Sequence, residues 1–228
     1  MDIILLPGLW LRGDAFSGVE DELTGAGHRA HSLTLPGQGD GRTDATLQDQ
    51  VEAVVSVVDG LPARALVVGH SAASALAWIV ADARPEAVAG VVMIGGMPVE
   101  AGKPYANFFP VVDALMPFPG WEPFRGADSA DLDKAARERI EADAVPVSEG
   151  ICHALVSLTD DRRFAVPVTL VCPEYSTTEA QAWIDDGFAP ELTRAEKVTL
   201  VDLDSGHWPM FTRRHELAAL IDEAARRL

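Results

Sequence analysis

The sequence predicts an α/β domain built on a mainly parallel sheet with helices on both faces, and three observations carry that expectation. Short apolar runs alternate with helix-length stretches along most of the 228 residues. One run, Ala65-Leu66-Val67-Val68, stops at Gly69 and becomes an alanine-rich helix running to Ala83, before Pro85. Pro7-Gly8, Ser71, Gly95-Gly96, Glu174 and His207 all fall just after apolar runs. In a parallel sheet those positions share one edge, where ligands bind.

In chain order, Asp2 to Leu6 reads as a first strand ending at Pro7-Gly8, and Phe16 to Thr24 as a surface helix stopped by Gly25 and Gly27. Arg29 to Leu35 is a second strand, followed by the glycine-rich turn Pro36-Gly37-Gln38-Gly39-Asp40-Gly41. Thr46 to Leu61 is an amphipathic helix with Leu47, Val51, Val54, Val55 and Val58 on its apolar side. After the Ala65 strand and its helix come a fourth strand at Val88 to Ile94, a fifth at Val166 to Cys172 and a sixth at Lys197 to Leu203. An amphipathic helix from His215 to Leu228 closes the chain.

The alternation breaks between 101 and 163, which shows no strand pattern. There, Tyr105, Phe108, Phe109, Phe118, Trp121 and Phe124 are interleaved with prolines ahead of expected helices at Asp128 to Ala144 and Ser148 to Leu158. A bare loop of this length is unusual, and an insertion leaving a strand's carboxyl end emerges over the site. The expectation is a small helical lid at 101–163 on a core formed by 1–100 and 164–228.

A net charge of −17 repels nucleic-acid phosphates and anionic lipid surfaces, so the expected partner is a small molecule, not nucleic acid or a membrane. The oligomeric state is not legible. Cys152 and Cys172 lack metal-ligand spacing and read as inert thiols in a reducing compartment. Because Met1-Asp2 leads directly into a strand, a cytoplasmic location is expected. No metal or cofactor is expected.

Ser71 stands at the strand-to-helix corner within Gly69-His70-Ser71-Ala72-Ala73. A Gly-x-Ser-x-Gly turn at such a corner exposes a nucleophilic serine; here alanine replaces the last glycine. A serine hydroxyl needs a base, and among six histidines His207, in Asp204-Ser205-Gly206-His207-Trp208-Pro209, follows the last strand. The alternative for it is a turn histidine packed beside Trp208. Backbone N–H groups of Ala72 and Leu9 are the candidates for holding a developing oxyanion.

Together, strand-Pro7-Gly8, Leu35-Pro36-Gly37-Gln38-Gly39, Gly69-His70-Ser71-Ala72-Ala73 and Gly206-His207 make the chain resemble the α/β-hydrolase-fold serine enzymes. It is most similar to their small-lid branch of plant-type esterases and hydroxynitrile lyases. The resemblance covers nearly the whole chain and implies strand order 2-1-3-4-5-6. Three positions depart from it. Pro7 replaces the usual His, Thr34 replaces a common Asp, and Ser176 stands where the acid of the triad is expected after the fifth strand. Glu174 is the nearest carboxylate; Asp204 or Asp202 is its rival, and a dyad assisted by Ser176 comes third.

The resemblance implies a cofactor-independent hydrolase acting on an ester, or a thioester or lactone, of a small apolar substrate through an acyl-enzyme on Ser71. Trp10, His70, Phe108, Phe109, Trp121 and Trp208 are the candidate substrate-binding residues. Two other readings stay open: a lyase using the same Ser71 and His207, and a non-catalytic ligand-binding protein.

Overall fold

The computed structural model describes residues 1–228. It holds eight strands: β1 (Asp2–Leu6), β2 (Arg29–Ser32), β3 (Ala65–His70), β4 (Val88–Ile94), β5 (Leu115–Met116), β6 (Val147–Ser148), β7 (Val168–Cys172) and β8 (Val198–Asp202). Six of them form a parallel sheet in the order β2-β1-β3-β4-β7-β8. That is the expected 2-1-3-4-5-6 once β5 and β6, which pair only with each other, are set aside.

The helices are α1 (Ser17–Gly25), α2 (Leu47–Asp59), α3 (Ala73–Ala83), α4 (Lys134–Asp143), α5 (Glu149–Cys152), α6 (Thr177–Asp185), α7 (Pro190–Arg194), α8 (Pro209–Thr212) and α9 (Arg214–Arg226). The period-2 geometry of a strand sorts them into two layers. Ile3, Leu5, Leu66, Val68, Val92 and Ile94 meet Val19 and Leu23 of α1 and Leu217 and Ile221 of α9 on one face. The residues between them, Ile4, Leu6, Val67, Val91 and Met93, meet α2 and α3 on the other. With both faces covered, the inner strands β1, β3 and β4 are buried along their whole length, while the edge strands β2 and β8 are only partly buried and carry polar residues.

The segment between β4 and β7 differs from the helical insertion expected. It contains a strand pair, β5 with β6, where none was expected. The first expected helix starts at Lys134 instead of Asp128, because the Asp133 side chain accepts the Ala136 N–H and caps it there. The second stops at Cys152 instead of Leu158. Residues 154–156 then run beside 102–105, through Gly102 N–H to Val156 O and Tyr105 N–H to Ala154 O, and the Ala106 N–H donates to the Cys152 carbonyl at the end of α5. Between β7 and β8, α6 and α7 were not expected. The capping box of Ser176 and Glu179 was the available signal for α6.

The end of this segment is fastened to the core by buried charges. Arg163 Nε donates to Glu191 Oε2 at 2.9 Å, and its Nη1 donates to Asp82 Oδ1 at 3.2 Å. Trp78 Nε1 also donates to Glu191, and the Thr159 and Asp160 N–H groups donate to Asp82. Removing the cation strands two buried carboxylates, which typically costs about 3–5 kcal/mol. Arg163→Met should lower the free energy of unfolding in urea by about that amount, against less than about 1 kcal/mol for the exposed Arg162→Met. A loss for Arg163→Met no larger than that of Arg162→Met would sink this account.

Candidate active site

The segments leaving the carboxyl ends of β1, β3, β4 and β8 converge on a cavity of about 290 Å3, with the end of β7 behind it. Ser71 follows β3 directly with φ +54°, a left-handed conformation that a non-glycine residue adopts only when its surroundings hold it. Its N–H donates to the Ile94 carbonyl at 2.8 Å, and its carbonyl accepts the Ser74 N–H at 2.9 Å. The corner is tight enough that a Cβ on Gly69 would overlap the Ala73 backbone. Alanine at 73 is accommodated, fully buried in the α2/α3 layer.

The Ser71 hydroxyl donates to His207 Nε2 at 2.9 Å, and His207 Nδ1 donates to Glu174 Oε1 at 2.7 Å. Three residues more than 30 positions apart thus form one hydrogen-bonded line, with the imidazole proton on Nδ1 assigned by the carboxylate beside it. Gly95, φ +58°, makes room for it: a Cβ there would press within 3.2 Å of both Glu174 Oε2 and His207 Nδ1. The other acid candidates are engaged elsewhere or stand apart. Ser176 caps α6, Asp202 accepts from the Thr177 N–H and hydroxyl, and the Asp204 side chain is exposed.

Leu9 and Ala72 line the cavity beside Ser71, and their N–H groups donate to no backbone carbonyl. Trp10, the next residue, has φ +65°. It is held by its indole N–H, which donates to the Met116 carbonyl at 3.2 Å, and by the rings of Phe109, Phe118 and Phe124. Thr34 takes over a local task at its own position, accepting the Gly13 N–H.

Of the expected substrate-contacting residues, Trp10, His70, Phe108, Phe109 and Trp208 line the cavity, with Phe108 60% exposed at its rim. Trp121 does not: its ring lies edge-on to Trp208 and Phe118, a layer behind the wall. Met97, Val99, Tyr105 and Phe124 also line it and were not expected as substrate contacts. Tyr105 and Phe124 belong to the aromatic run of the insertion, but only the folded backbone decides which of its rings face inward.

Cys152 and Cys172 are buried and unpaired, and burial pushes their thiols up to about 11 and about 12, so neither is a ready thiolate. No group of three or more His, Cys, Asp or Glu side chains is arranged to hold a metal ion, and no helix is long and apolar enough to cross a membrane.

A family model described as the alpha/beta hydrolase family matches residues 3–220. No curated protein matches the sequence. Among solved structures, an extracellular alpha/beta-hydrolase from a Paenibacillus species, titled as sharing homology with tobacco salicylic acid binding protein 2, is 17% identical, with a TM-score of 0.79 over 98% of both chains. A methylesterase from Arabidopsis is 14% identical with a TM-score of 0.80 over 100% of both. A pyrethroid hydrolase from Sphingobium faniae is 20% identical with a TM-score of 0.72 over 99% of this chain and 97% of that one.

His70 stands behind the hydrogen-bonded line. Its Nε2 donates to the His207 carbonyl at 2.7 Å, while Nδ1 is buried without a partner. Burial, and then the neighbouring His207, pull its pKa down to about 3 from 6.5. Between those values the unfolded chain binds a proton at His70 that the folded protein refuses, so stability is complete above 6.5 and falls as pH drops. Relative to His70→Gln, the wild type should lose about 1.4 kcal/mol more unfolding free energy per pH unit as pH falls from about 6 to about 4. Urea titrations across that range check this; parallel curves would show that His70 is not held neutral.

Proposed function

The chain belongs to the alpha/beta hydrolase family, and from that premise we propose that it is a serine hydrolase of small, neutral, largely apolar carboxylic esters. The observation that carries this reading is the line from Ser71 through His207 to Glu174 at the wall of an aromatic cavity. In the proposed reaction Ser71 Oγ attacks the acyl carbon while its proton passes to His207 Nε2. Glu174 holds the imidazole in the accepting tautomer and stabilises the imidazolium. The carbonyl oxygen takes up negative charge opposite the Leu9 and Ala72 N–H groups.

Collapse of the adduct breaks the ester C–O bond, and the imidazolium returns its proton to the leaving alcohol. Water then attacks the acyl-enzyme, giving its proton to His207, and the second collapse releases the carboxylic acid and restores the Ser71 hydroxyl. One ester and one water become one acid and one alcohol, with no other reactant.

The cavity wall sets the substrate class. Leu9, Trp10, Met97, Val99, Tyr105, Phe109, Phe124 and Trp208 present apolar surface, and no Lys or Arg is among the lining residues. An apolar wall without a fixed cation favours a neutral ester over one bearing a carboxylate or phosphate. The insertion at 101–163 serves in this reading as a lid, contributing Tyr105, Phe108, Phe109 and Phe124. Two of the similar structures are titled as a methylesterase and a pyrethroid hydrolase, which accords with ester cleavage.

Incubation with a fluorophosphonate should add one adduct mapping to Ser71, absent from Ser71→Ala and from His207→Ala. Against a panel of neutral aryl and short-chain alkyl esters, Glu174→Gln should lower kcat by about 100-fold to 10,000-fold with KM little changed, since it preserves shape but not charge. A folded wild type that takes no adduct and turns over no ester would defeat the proposal.

A further inference from the structure

The turn that carries His207 belongs to no strand or helix, yet its imidazole must meet Ser71 at 2.9 Å and Glu174 at 2.7 Å together. The His70 side chain, at the end of β3, holds the His207 carbonyl; the N–H groups of the turn are held from outside the sheet, by one short stretch of the 101–163 segment. The His207 N–H donates to the Asp128 carbonyl at 2.7 Å, and the Gly206 N–H donates to Asp131 Oδ2 at 2.9 Å. The same Oδ2 accepts the Thr212 hydroxyl at 2.6 Å, tying the far side of the turn to the same carboxylate.

The approach is close enough to dictate the residue. A Cβ on Gly206 would overlap both Asp131 Oδ1 and the Asp128 carbonyl oxygen, so glycine at 206 is what lets the two pieces of chain meet. The stretch is itself anchored. Leu132 packs in the same apolar cluster as Trp208 and Met210, and Ser129 Oγ donates to the Phe124 carbonyl. Asp131 does not line the substrate cavity; it borders a separate hollow with Glu174, Ser205 and Arg213.

We propose that Asp131 is a positioning residue, acting through the Gly206 backbone and Thr212 to hold the His207 imidazole between Ser71 and Glu174. The proposal rests on the hydrolase reading for its activity readouts. A displacement on the order of 1 Å at a reacting group costs about 100-fold in rate, so a hold on the base reads out in kcat. Because Asp131 touches no substrate, KM should be spared.

The test compares Asp131→Ala with Asp131→Asn, which keeps an oxygen for the Gly206 and Thr212 donors and replaces only Oδ1, an atom without a partner. Asp131→Ala should label with fluorophosphonate at Ser71 about 10-fold to 100-fold more slowly and lose kcat on esters by a similar factor, with KM within about 2-fold. Asp131→Asn should stay within about 3-fold of wild type, the rescue expected if the acceptor is what matters. Gly206→Ala, which pushes both Asp131 and the Asp128 carbonyl away without removing them, should lose at least as much, and the double variant should lose less than the product of the single losses. It carries the test if Asp131→Ala does not fold.

A readout independent of catalysis is the downfield proton resonance of His207 Nδ1–H. It should be present in wild type and Asp131→Asn and shifted or broadened in Asp131→Ala and Gly206→Ala. Wild-type labelling rates with an unchanged resonance in Asp131→Ala would overturn the proposal. If the wild type neither labels nor cleaves esters, the hydrolase reading falls by itself. The resonance then decides the positioning role alone: a change confined to Asp131→Ala and Gly206→Ala supports it, and an unchanged signal overturns it.

Discussion

Ser71 holds a left-handed backbone conformation, φ +54°, and the geometry of the whole site is referred to that one corner. Such a residue costs on the order of 1–3 kcal/mol and persists only because its neighbours overdetermine it. Here the Ile94 carbonyl holds its N–H, the Ser74 N–H holds its carbonyl, and Gly69 lets the first turn of α3 come close. The corner places Ser71 and Ala72 side by side in the cavity wall. Parallel pairing of β3 with β1 and β4 then brings Leu9 to one side and Gly95 to the other, while β7 and β8 deliver Glu174 and His207.

The displaced acid and the start of α6 are two sides of one arrangement. A carboxylate immediately after Pro173 reaches the imidazole because Gly95 leaves its side chain room, and the next residues are then free of the site. Ser176 uses that freedom to cap α6 with Glu179, and Asp202 secures the same turn through Thr177. Had the acid been at 176, the side chain that starts the helix would have been diverted to the imidazole. A serine at that position and a glutamate two residues earlier are therefore mutually consistent.

The sheet, the corner and the His207 turn were legible because each rests on a short-range pattern: branched apolar runs, glycine beside serine, a turn just past a strand. The order of strands followed from the resemblance those motifs carried. What escaped was decided by contacts between distant residues. The run at 154–156 leaves the helix because 102–105 lies beside it, and no local pattern reports that partner. Trp121 was read as facing substrate on composition alone, but Trp208 and Phe118 claim its ring. The positive φ of Trp10 depends on Met116 and three phenylalanines far along the chain. By contrast, the start of α6 is a local signal, the capping box Ser176-Thr177-Thr178-Glu179.

The distribution of charge about the site gives the proposed reaction a direction. On the imidazole side stand Glu174 and, behind it, Asp128, whose carboxyl is pushed above the usual range by burial and then by the charge of Glu174. In the proposed reaction the Glu174 carboxylate stands against the imidazolium that forms when His207 takes the Ser71 proton. On the substrate side there is no fixed cation, only the N–H groups of Leu9 and Ala72 amid apolar walls. In the proposed reaction those donors serve an oxyanion that exists transiently at one atom, whereas a released carboxylate meets the same apolar walls without a counterion. A neutral ester gains by entering and its ionised product gains by leaving, so the absence of an arginine from the cavity bears on turnover as well as on substrate choice.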